Sequence, residues 1–457
     1  MRYQLRYIPF LVFVGAKLWH FFVTCKFLRN FVLEIANFEF MSHLLTYPCK
    51  QPKGQIVLPA SKSISNRALL INALAGNKQL PQNLSDSDDT GVMLRALQEM
   101  PETIDIGAAG TAMRFMTAYL SVTPGEHIIT GTERMRHRPI AILVDALRQL
   151  GADITYEGEE GFPPLRIVGN NNLEGGELTV PGDVSSQYIS ALLMIAPTLR
   201  KGLRLTLTGN IASKPYLEMT LSMMREFGAQ ADWAEDNVIA VQPCPYEQHS
   251  YHIESDWSAA SYWYEIVALS NDADSQIDLV GLHNESIQGD SRVRHLFNEL
   301  GVETQYFVEA DGTEITRLRK SGNITDSFHC DFTHQPDLAQ TFVVTCAMLN
   351  IPFRFTGLQS LKIKETDRIT ALRTELRKLG YDIKEQDNSI LFWDGERCPA
   401  KEAASIDTYE DHRMAMSMAP ACLRTGKQIQ INNPQVVSKS YPAFWGDLEK
   451  AGFEICR

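Results

Sequence analysis

The sequence predicts an α/β protein with two domains, each built from repeated units of strands and helices. Its 457 residues, 44% of them hydrophobic, exceed what a single hydrophobic core usually supports. Five predicted amphipathic helices also end alike, with a glycine directly after an apolar-x-x-apolar turn, a position typical of helix termination. These glycines are Gly151, Gly228, Gly301, Gly380 and Gly452.

The spacing of these glycines indicates an internal repeat. Successive glycines are 77, 73, 79 and 72 residues apart, a period that suits a supersecondary unit of several strands and two helices. Most of them precede a short alternating segment, such as 152–156 or 381–384, that predicts a strand. A helix ending at Met100 supplies a sixth copy without the glycine. We therefore expect six similar units, three in each domain. The alternative is that helix, glycine and strand simply follow one another, as in any α/β protein.

Composition argues against several classes of protein. The formal net charge is −12 and no long track of basic and aromatic residues occurs, so nucleic acid is not an expected partner. The eight cysteines form no C-x-x-C pair and no cluster with histidine, which argues against a zinc site or a disulfide framework. A reducing cytoplasm is the simplest compartment.

Residues 1–40 are aromatic-rich, contain scattered basic residues and resemble a weak signal or membrane anchor. However, Lys17 and Lys26 interrupt the apolar runs, and no run approaches the length that spans a bilayer. Met41 offers a second start. We therefore expect 1–40 to be a non-native or disordered extension rather than an anchor.

Cations lie at the predicted starts of several helices, where the helix dipole is already positive. Lys62 and Arg67 open one helix and Arg413 another, while the spacing of Lys364 and Arg368 predicts that both lie on one face of a third. This placement gains nothing for stability and suits an anionic ligand. The alternative for each is a capped helix with solvated charges.

Clusters of glycine or serine precede further predicted helices, at residues 107–114, 182–187, 213–216 and 255–261. Glycine lets a backbone approach an anion closely, and serine caps a helix while keeping a hydroxyl. Alone, each cluster is more often a plain cap, but several facing one cleft would form an anion site. Arg138, directly before a proline, is expected in an extended or turn conformation.

Six of these segments, in this order, resemble the EPSP synthase family of enolpyruvyl transferases. They are Leu-Pro-Ala-Ser-Lys-Ser (58–63), Gly-Thr-Ala-Met-Arg (110–114), Val-Ser-Ser-Gln-Tyr (184–188), Ser-Lys-Pro-Tyr (213–216), Lys-Glu-Thr-Asp-Arg (364–368) and Asp-His-Arg-Met-Ala-Met (411–416). The resemblance runs from about Gln51 to the C-terminus.

The resemblance implies two domains of three βαβαββ units each, an inside-out α/β barrel, with helix N-termini facing an interdomain cleft. Residues 61–254 would form the shikimate 3-phosphate side, and 41–60 would join 255–457 on the phosphoenolpyruvate side. The implied reaction transfers the enolpyruvyl group of phosphoenolpyruvate to the 5-hydroxyl of shikimate 3-phosphate and releases phosphate, on the way to chorismate and the aromatic amino acids. No metal or organic cofactor is implied, and we expect a cytoplasmic monomer with no membrane partner.

The resemblance also implies roles for individual residues. Asp337 is the implied acidic partner of the hydroxyl, and Glu365 the implied proton-shuttling glutamate. The residues implied to contact shikimate 3-phosphate, or both substrates, are Lys62, Ser63, Arg67, Ser185, Ser186, Gln187, Ser213, Asp337 and Lys364. Those implied to hold phosphoenolpyruvate are Gly110, Arg138, Arg368, Arg413 and Lys439.

Three positions depart from the family pattern: Ala108 replaces a usual Asn, Phe115 a frequent Pro, and Ser360 a frequent Asn. Two other functions remain open. One is the related transferase that acts on a UDP-sugar, although its usual loop cysteine has no counterpart near 134–138. The other is a non-catalytic anion-binding protein, which would not need Asp337 and Glu365.

Overall fold

The computed structural model describes residues 42–48 and 51–457, and the predicted extension over 1–40 lies outside them. The strands are β1 (Ser42–Thr46), β2 (Lys53–Val57), β3 (Thr103–Asp105), β4 (Gly125–Thr130), β5 (Asp153–Tyr156), β6 (Leu165–Gly169), β7 (Gly176–Pro181), β8 (Leu203–Thr208), β9 (Ala231–Glu235), β10 (Val238–Val241), β11 (Gln276–Val280), β12 (Leu300–Val308), β13 (Glu314–Ile324), β14 (Phe328–Asp331), β15 (Phe353–Thr356), β16 (Lys384–Gln386), β17 (Ile390–Trp393), β18 (Ala404–Ile406), β19 (Ile429–Asn432) and β20 (Glu454–Cys456).

The helices of the described part are α1 (Lys62–Leu74), α2 (Asp88–Glu99), α3 (Gly110–Val122), α4 (Glu133–Arg136), α5 (Ala141–Gln149), α6 (Ser186–Ile195), α7 (Lys214–Glu226), α8 (Trp257–Leu269), α9 (Val293–Asn298), α10 (Ala339–Leu349), α11 (Arg368–Lys378), α12 (His412–Met418), α13 (Cys422–Thr425) and α14 (Phe444–Lys450). None of these helices is both long enough and apolar enough to cross a membrane.

The strands form five four-stranded sheets with one shared pattern, in which a parallel pair is followed by two antiparallel strands. The sheet orders are β3-β4-β6-β5, β7-β8-β10-β9, β2-β11-β13-β12, β14-β15-β17-β16 and β18-β19-β1-β20. Strands β1 and β2 come from the N-terminal segment, yet they pair with strands from residues 276–456. The mixed α/β prediction is confirmed.

The five repeat glycines occupy equivalent places in these units. Each follows a helix or a one-turn extension of it and has a φ between 84° and 102°, a left-handed region that only glycine adopts without strain. Residues after four of these glycines enter the third strand of the unit, β5, β9, β16 or β20, whereas Gly301 is itself the second residue of β12. The predicted order of helix, glycine and strand is therefore confirmed in all five.

The sixth predicted unit differs from the others. Helices α1 and α2 pack together there, but the described residues around them show only isolated bridges, Ala60 to Ser255 and Gln82 to His252, in place of a sheet. Pro81, directly before Gln82, supplies one physical reason, since it lacks the N–H group that a sheet ladder requires.

Buried hydrophobic side chains form two separate clusters. The first core is built from residues 60–253, and the second core from residues 45–58 and 257–453. The chain passes between them twice, and the two passes run side by side. The N–H of Ser61 donates to the Glu254 carbonyl at 2.8 Å, and that of Asp256 donates to the Pro59 carbonyl at 2.9 Å.

Candidate active site

Seven helices begin around one cavity with a volume of about 210 Å³. Helices α1, α2, α3, α6 and α7 belong to the first core, and α11 and α12 to the second. The positive ends of these helices face the same space, which favours an anion. The serine cluster at 255–261 does not reach the described lining; Asp256 there accepts a hydrogen bond from the Lys62 N–H at 3.2 Å.

The cavity is rich in positive charge although the chain has a formal net charge of −12. Its cationic lining residues are Lys62, Arg67, Arg114, Arg138, Lys364, Arg368 and Arg413, and its carboxylates are Asp89, Asp183, Asp337 and Glu365. An excess of cations in a concave, partly dry space attracts anionic ligands. The cavity therefore concentrates the charge expected to bind phosphates and carboxylates.

Lys62 lies in the first turn of α1, as predicted, with Ser61 as the N-cap. Its ammonium group is 3.4 Å from both Asp89 Oδ2 and the Lys439 carbonyl oxygen. Asp89 belongs to the first core and Lys439 to the C-terminal part of the chain. Lys62 thus joins both sides of the cavity through one side chain.

Arg67 is buried and its polar contacts are neutral. Its guanidinium donates to Thr220 Oγ1 at 2.7 Å, to Ser190 Oγ at 3.0 Å and to the Ser63 carbonyl at 3.0 Å. No carboxylate forms an ion pair with it among the described residues, and burial lowers its pKa to about 10. A buried cation without a counter-ion favours an anionic ligand.

Arg138 and Gly110 are in direct contact. Arg138 lies in the predicted turn before a proline, and its guanidinium occupies the space beside Gly110, where an added Cβ would be only 2.6 Å from Arg138 Nη1. Arg114, one turn into α3, lies close by and donates to the Gly110 carbonyl at 3.0 Å. Burial, with Arg138 as a second cause, lowers the pKa of Arg114 to about 10.

The predicted serines and Gln187 lie where α6 and α7 begin. Ser185 caps α6, and Gln187 Nε2 donates to Thr111 Oγ1 at 3.0 Å, which links α6 to the start of α3. Ser213 precedes α7 with a φ of 54°, and its N–H donates to the Thr333 carbonyl at 3.0 Å. Ser186 also lines the cavity.

Asp337 lies among three cations of the second core. Its carboxylate is 2.9 Å from Arg413 Nη2, 3.2 Å from Arg368 Nη1 and 3.6 Å from Lys364 Nζ. Burial alone would raise the pKa of Asp337, but Arg413, Lys364 and Arg368 outweigh burial and hold that pKa well below its ordinary value. In the ligand-free protein Asp337 is an ionised carboxylate.

Glu365 pairs with Arg368, whose Nη2 is 2.9 Å from Glu365 Oε2. Burial favours the neutral acid, but Arg368, Arg138 and further cations hold the pKa of Glu365 well below its ordinary value. Arg134, from the first core, donates to the carbonyls of Glu365 and Lys364 at 3.3 and 3.4 Å. The two carboxylates predicted to act in catalysis therefore share one set of cations.

The prediction that Lys364 and Arg368 lie on one face of a helix is wrong. Helix α11 begins only at Arg368, because Asp367 is its N-cap and accepts from the Thr370 N–H at 3.0 Å. Lys364 precedes the helix and follows the 3₁₀ segment Gln359–Ile363. Lys364 still reaches Asp337, but through the folding of this loop and not through helical spacing.

Fourteen of the fifteen predicted site residues line the cavity, and Lys439 does not belong to its described lining. The ammonium of Lys439 donates to the Glu410 carbonyl at 2.8 Å, while its own carbonyl faces Lys62. Ser360, which departs from the family pattern, does line the cavity.

Sequence reasoning missed several lining residues, notably Asp89, Arg114, Tyr216 and His412. Three of them lie inside the segments that carry the family resemblance, but the sequence did not indicate what they contact. Neither ring nitrogen of His412 has a hydrogen-bond partner among the described residues. Burial, together with Lys62 and Arg413, lowers the pKa of His412 well below its ordinary value, which keeps the ring neutral.

Comparisons with known proteins indicate the family of this chain. The family model described as EPSP synthase (3-phosphoshikimate 1-carboxyvinyltransferase) matches residues 47–105 and 99–448. A 3-phosphoshikimate 1-carboxyvinyltransferase of Bacteroides fragilis is 60% identical over 416 residues, which cover 91% of this chain and 99% of that protein. One from Vibrio campbellii is 34% identical and covers 90% of this chain and 99% of the relative.

Among solved structures, EPSP synthase from Acinetobacter baumannii has a TM-score of 0.72 and 22% sequence identity, with 91% of this chain and 100% of that chain covered. That likeness concerns the fold. The family model and the two relatives extend over most of the chain, and on that evidence the chain belongs to the EPSP synthase (3-phosphoshikimate 1-carboxyvinyltransferase) family.

Proposed function

We propose that this protein transfers the enolpyruvyl group of phosphoenolpyruvate to the 5-hydroxyl of shikimate 3-phosphate and releases phosphate. The observation that carries the proposal is the cavity where both cores meet, whose lining holds seven cationic side chains together with the carboxylates Asp337 and Glu365. The two substrates bring two phosphates and two carboxylates into one space. Fixed cations from both sides of the cavity can pair with these negatively charged groups.

We assign the lining residues to the two substrates. Arg67, Ser185, Ser186 and Ser213 line the side formed by the first core, and we assign shikimate 3-phosphate to them. Arg368 and Arg413 line the opposite side, and we assign phosphoenolpyruvate to them with Gly110 and Arg138. We assign Lys62, whose ammonium contacts both sides of the cavity, and Gln187 to both ligands. Lys364 is assigned to the shikimate ligand and Lys439 to phosphoenolpyruvate.

The chemical step needs a base for the 5-hydroxyl and an acid for C3 of phosphoenolpyruvate. We assign the base to Asp337 and the acid to Glu365. The hydroxyl oxygen bonds to C2 as Asp337 takes its proton and C3 gains one from Glu365. The C2–O bond to phosphate then breaks as C3 returns its proton to Glu365 and Asp337 passes its proton to the departing phosphate, which leaves the enolpyruvyl ether and phosphate.

Substrate binding supplies a reason why Glu365 could carry a proton. In the free protein Arg368 and Arg138 are among the cations that hold its pKa low. A bound phosphate or carboxylate of phosphoenolpyruvate neutralises those cations, so the pKa of Glu365 rises. The acid is therefore formed when the donor is in place.

One assay tests the proposal: phosphate release from phosphoenolpyruvate, with shikimate 3-phosphate or UDP-N-acetylglucosamine as the acceptor. We expect release with shikimate 3-phosphate alone. Release only with the UDP-sugar would support the related transferase and contradict our assignment. Release with neither acceptor, while shikimate 3-phosphate still raises the melting temperature, would favour a binding protein.

We also propose the cytoplasm as the compartment, on the cysteine pattern of the sequence. The monomeric state stays a prediction, and sedimentation analysis would test it.

A further inference from the structure

Asp290 is a buried carboxylate that lies between the two cores, and no role is assigned to it above. It belongs to the 3₁₀ turn Gly289–Arg292 and is 4% exposed. It is not part of the cavity lining among the described residues. Its position is nevertheless one side chain away from the cavity.

The contacts of Asp290 reach both cores. The hydroxyl of Tyr216 donates to its two carboxylate oxygens at 3.2 and 3.3 Å, and Ser258 Oγ donates to Oδ2. Tyr216 stands in the first turn of α7 and lines the cavity beside Ser213. Ser258 stands in the first turn of α8, within the second core. Asp290 therefore joins a cavity wall of one core to a helix of the other.

The turn that carries Asp290 is fixed on the side of the chain crossing. Gln288 Nε2 donates to Glu254 Oε2 at 2.9 Å and to the Ser255 carbonyl at 2.8 Å, and its Oε1 accepts from the Trp257 N–H at 3.2 Å. These partners form the second pass between the cores. Asp290 is thus held at a set distance from the place where the two cores connect.

The same turn is in close contact with the start of α7. A Cβ added to Gly289 would lie 2.3 Å from Pro215 Cβ, so only glycine fits there. Pro215 directly precedes Tyr216. Backbone packing and the Asp290 hydrogen bonds therefore act on the same short segment, and both restrict where Tyr216 can lie.

Fold stability does not account for a carboxylate at this position. Burial, and to a lesser extent the charge of Asp337, raises the pKa of Asp290 to about 6. The Ser258 hydroxyl and Arg413 oppose this rise. Holding the ionised form at neutral pH costs stability. An amide of the same shape would avoid that cost.

We propose that Asp290 is a positioning residue for the shikimate 3-phosphate side of the cavity, where it holds the Tyr216 hydroxyl against the second core. The inference rests on the proposed function. Because the Tyr216 proton is donated to Asp290, the ring and its oxygen are fixed before the substrate arrives. Asp290 itself touches no substrate in this account.

The test is a double-mutant cycle with Asp290→Asn and Tyr216→Phe. We expect each single change to raise the KM for shikimate 3-phosphate about tenfold, the worth of one hydrogen bond to a charged group. The KM for phosphoenolpyruvate should stay within about threefold of the wild-type value, which is under 1 kcal/mol. Because Asp290 acts through the tyrosine hydroxyl, the double variant should be no worse than either single one.

Melting temperatures separate positioning from a structural role. Asp290→Asn should melt at or above the wild-type temperature, because a buried charge is removed. The exposed Asp394→Asn is the matched control and should change neither KM nor melting temperature. Additive effects in the cycle, equal changes in both KM values, or a lower melting temperature in Asp290→Asn would contradict the positioning role. Unchanged KM in Tyr216→Phe would also contradict it.

The wild-type assay keeps the two proposals apart. Wild-type turnover with normal kinetics in Asp290→Asn would overturn only the positioning role. Absence of wild-type turnover would overturn the proposed function and, with it, the role of Asp290.

Discussion

Arg368 donates to both carboxylate oxygens of Asp411, with distances of 2.6 Å from Nε to Oδ2 and 3.3 Å from Nη2 to Oδ1. Both side chains are buried, with 1% and 0% exposed. Asp411 Oδ1 also accepts from the Arg413 N–H at 2.9 Å and so caps α12. From outside the cavity lining, Asp411 orients Arg368 and Arg413, two of the three arginines assigned to phosphoenolpyruvate.

Asp411→Asn should lower the free energy of unfolding by about 3 kcal/mol, because it leaves the Arg368 guanidinium buried with a weaker partner. The KM for phosphoenolpyruvate should rise at least about tenfold, since each lost charge-assisted hydrogen bond weakens the hold on the arginines. Urea unfolding and steady-state kinetics measure the two effects. The exposed pair of Arg166 and Glu126 supplies the control, because Glu126→Gln should cost under about 1 kcal/mol. If both variants lowered the free energy of unfolding equally, the buried pair would not contribute more than the exposed one, and the prediction would be contradicted.

Asp337→Ala and Glu365→Gln should each lower kcat by at least about a hundredfold, the usual worth of a positioned acid or base. The fold should stay intact, since neither residue belongs to the hydrophobic cores. Phosphate release under saturating substrates measures kcat, and circular dichroism checks the fold. Near-normal turnover in either variant would refute the role of that residue.

Gly110→Ala should raise the KM for phosphoenolpyruvate at least about tenfold, because the new Cβ displaces a guanidinium that we assign to this substrate and that would bind it through charge-assisted hydrogen bonds. The displaced group is that of Arg138, now 2.6 Å from the Cβ position. Gly91→Ala is the matched control in α2, where the added Cβ meets only Arg95 Nη1 at 3.7 Å. That variant should keep both KM values and gain up to about 1 kcal/mol of helix stability. Equal KM values in the two alanine variants would count against contact between Arg138 and the substrate.

Glu265→Gln should stabilise the protein, and more strongly as the pH rises. Glu265 is fully buried in α8, neither carboxyl oxygen accepts a hydrogen bond from a described residue, and the nearby Thr345 hydroxyl donates to the Thr341 carbonyl. Burial raises the pKa of Glu265 well above its ordinary value, and Thr345 offsets this only in part.

The sign of the pH effect follows from that shift. A raised pKa in the folded state means that the folded protein holds the proton more tightly, so stability is complete below pH 4.5, the ordinary pKa of a glutamate, and falls as the pH rises above it. Glutamine does not titrate, so the free energy of unfolding of the variant should exceed that of the wild type at pH 7.5 and exceed it by much less at pH 5. Urea unfolding at both pH values tests this. A constant difference between them would show that Glu265 is not held neutral.

Much of the site could be predicted because the positions of its residues at helix starts are set by local structure. Lys62 lies at a helix start since Ser61 caps α1, and Arg413 lies in the first turn of α12 since Asp411 caps it. The five repeat glycines end their helices for the same local reason. Caps and left-handed glycines depend on a few neighbouring residues, which a sequence displays directly.

Other features depended on contacts between distant parts of the chain. Lys364 was expected on a helix with Arg368, but the cap at Asp367 starts the helix later and leaves Lys364 in a loop. The roles of Asp411 and Asp290 depend on contacts that the sequence does not display. Asp411 contacts Arg368, 43 residues away, and Asp290 contacts Tyr216, 74 residues away.

The sequence by itself determined the α/β class, the repeat and the helix starts that carry the cations, because these follow from hydrophobic periodicity, glycine conformation and capping. Only the tertiary structure decided that seven helix starts from two cores share one cavity, and that its cations hold Asp337 and Glu365 ionised. The physical reason is that charge interactions fall off with distance and strengthen with burial, so they are set by how the two cores meet and not by the order of residues.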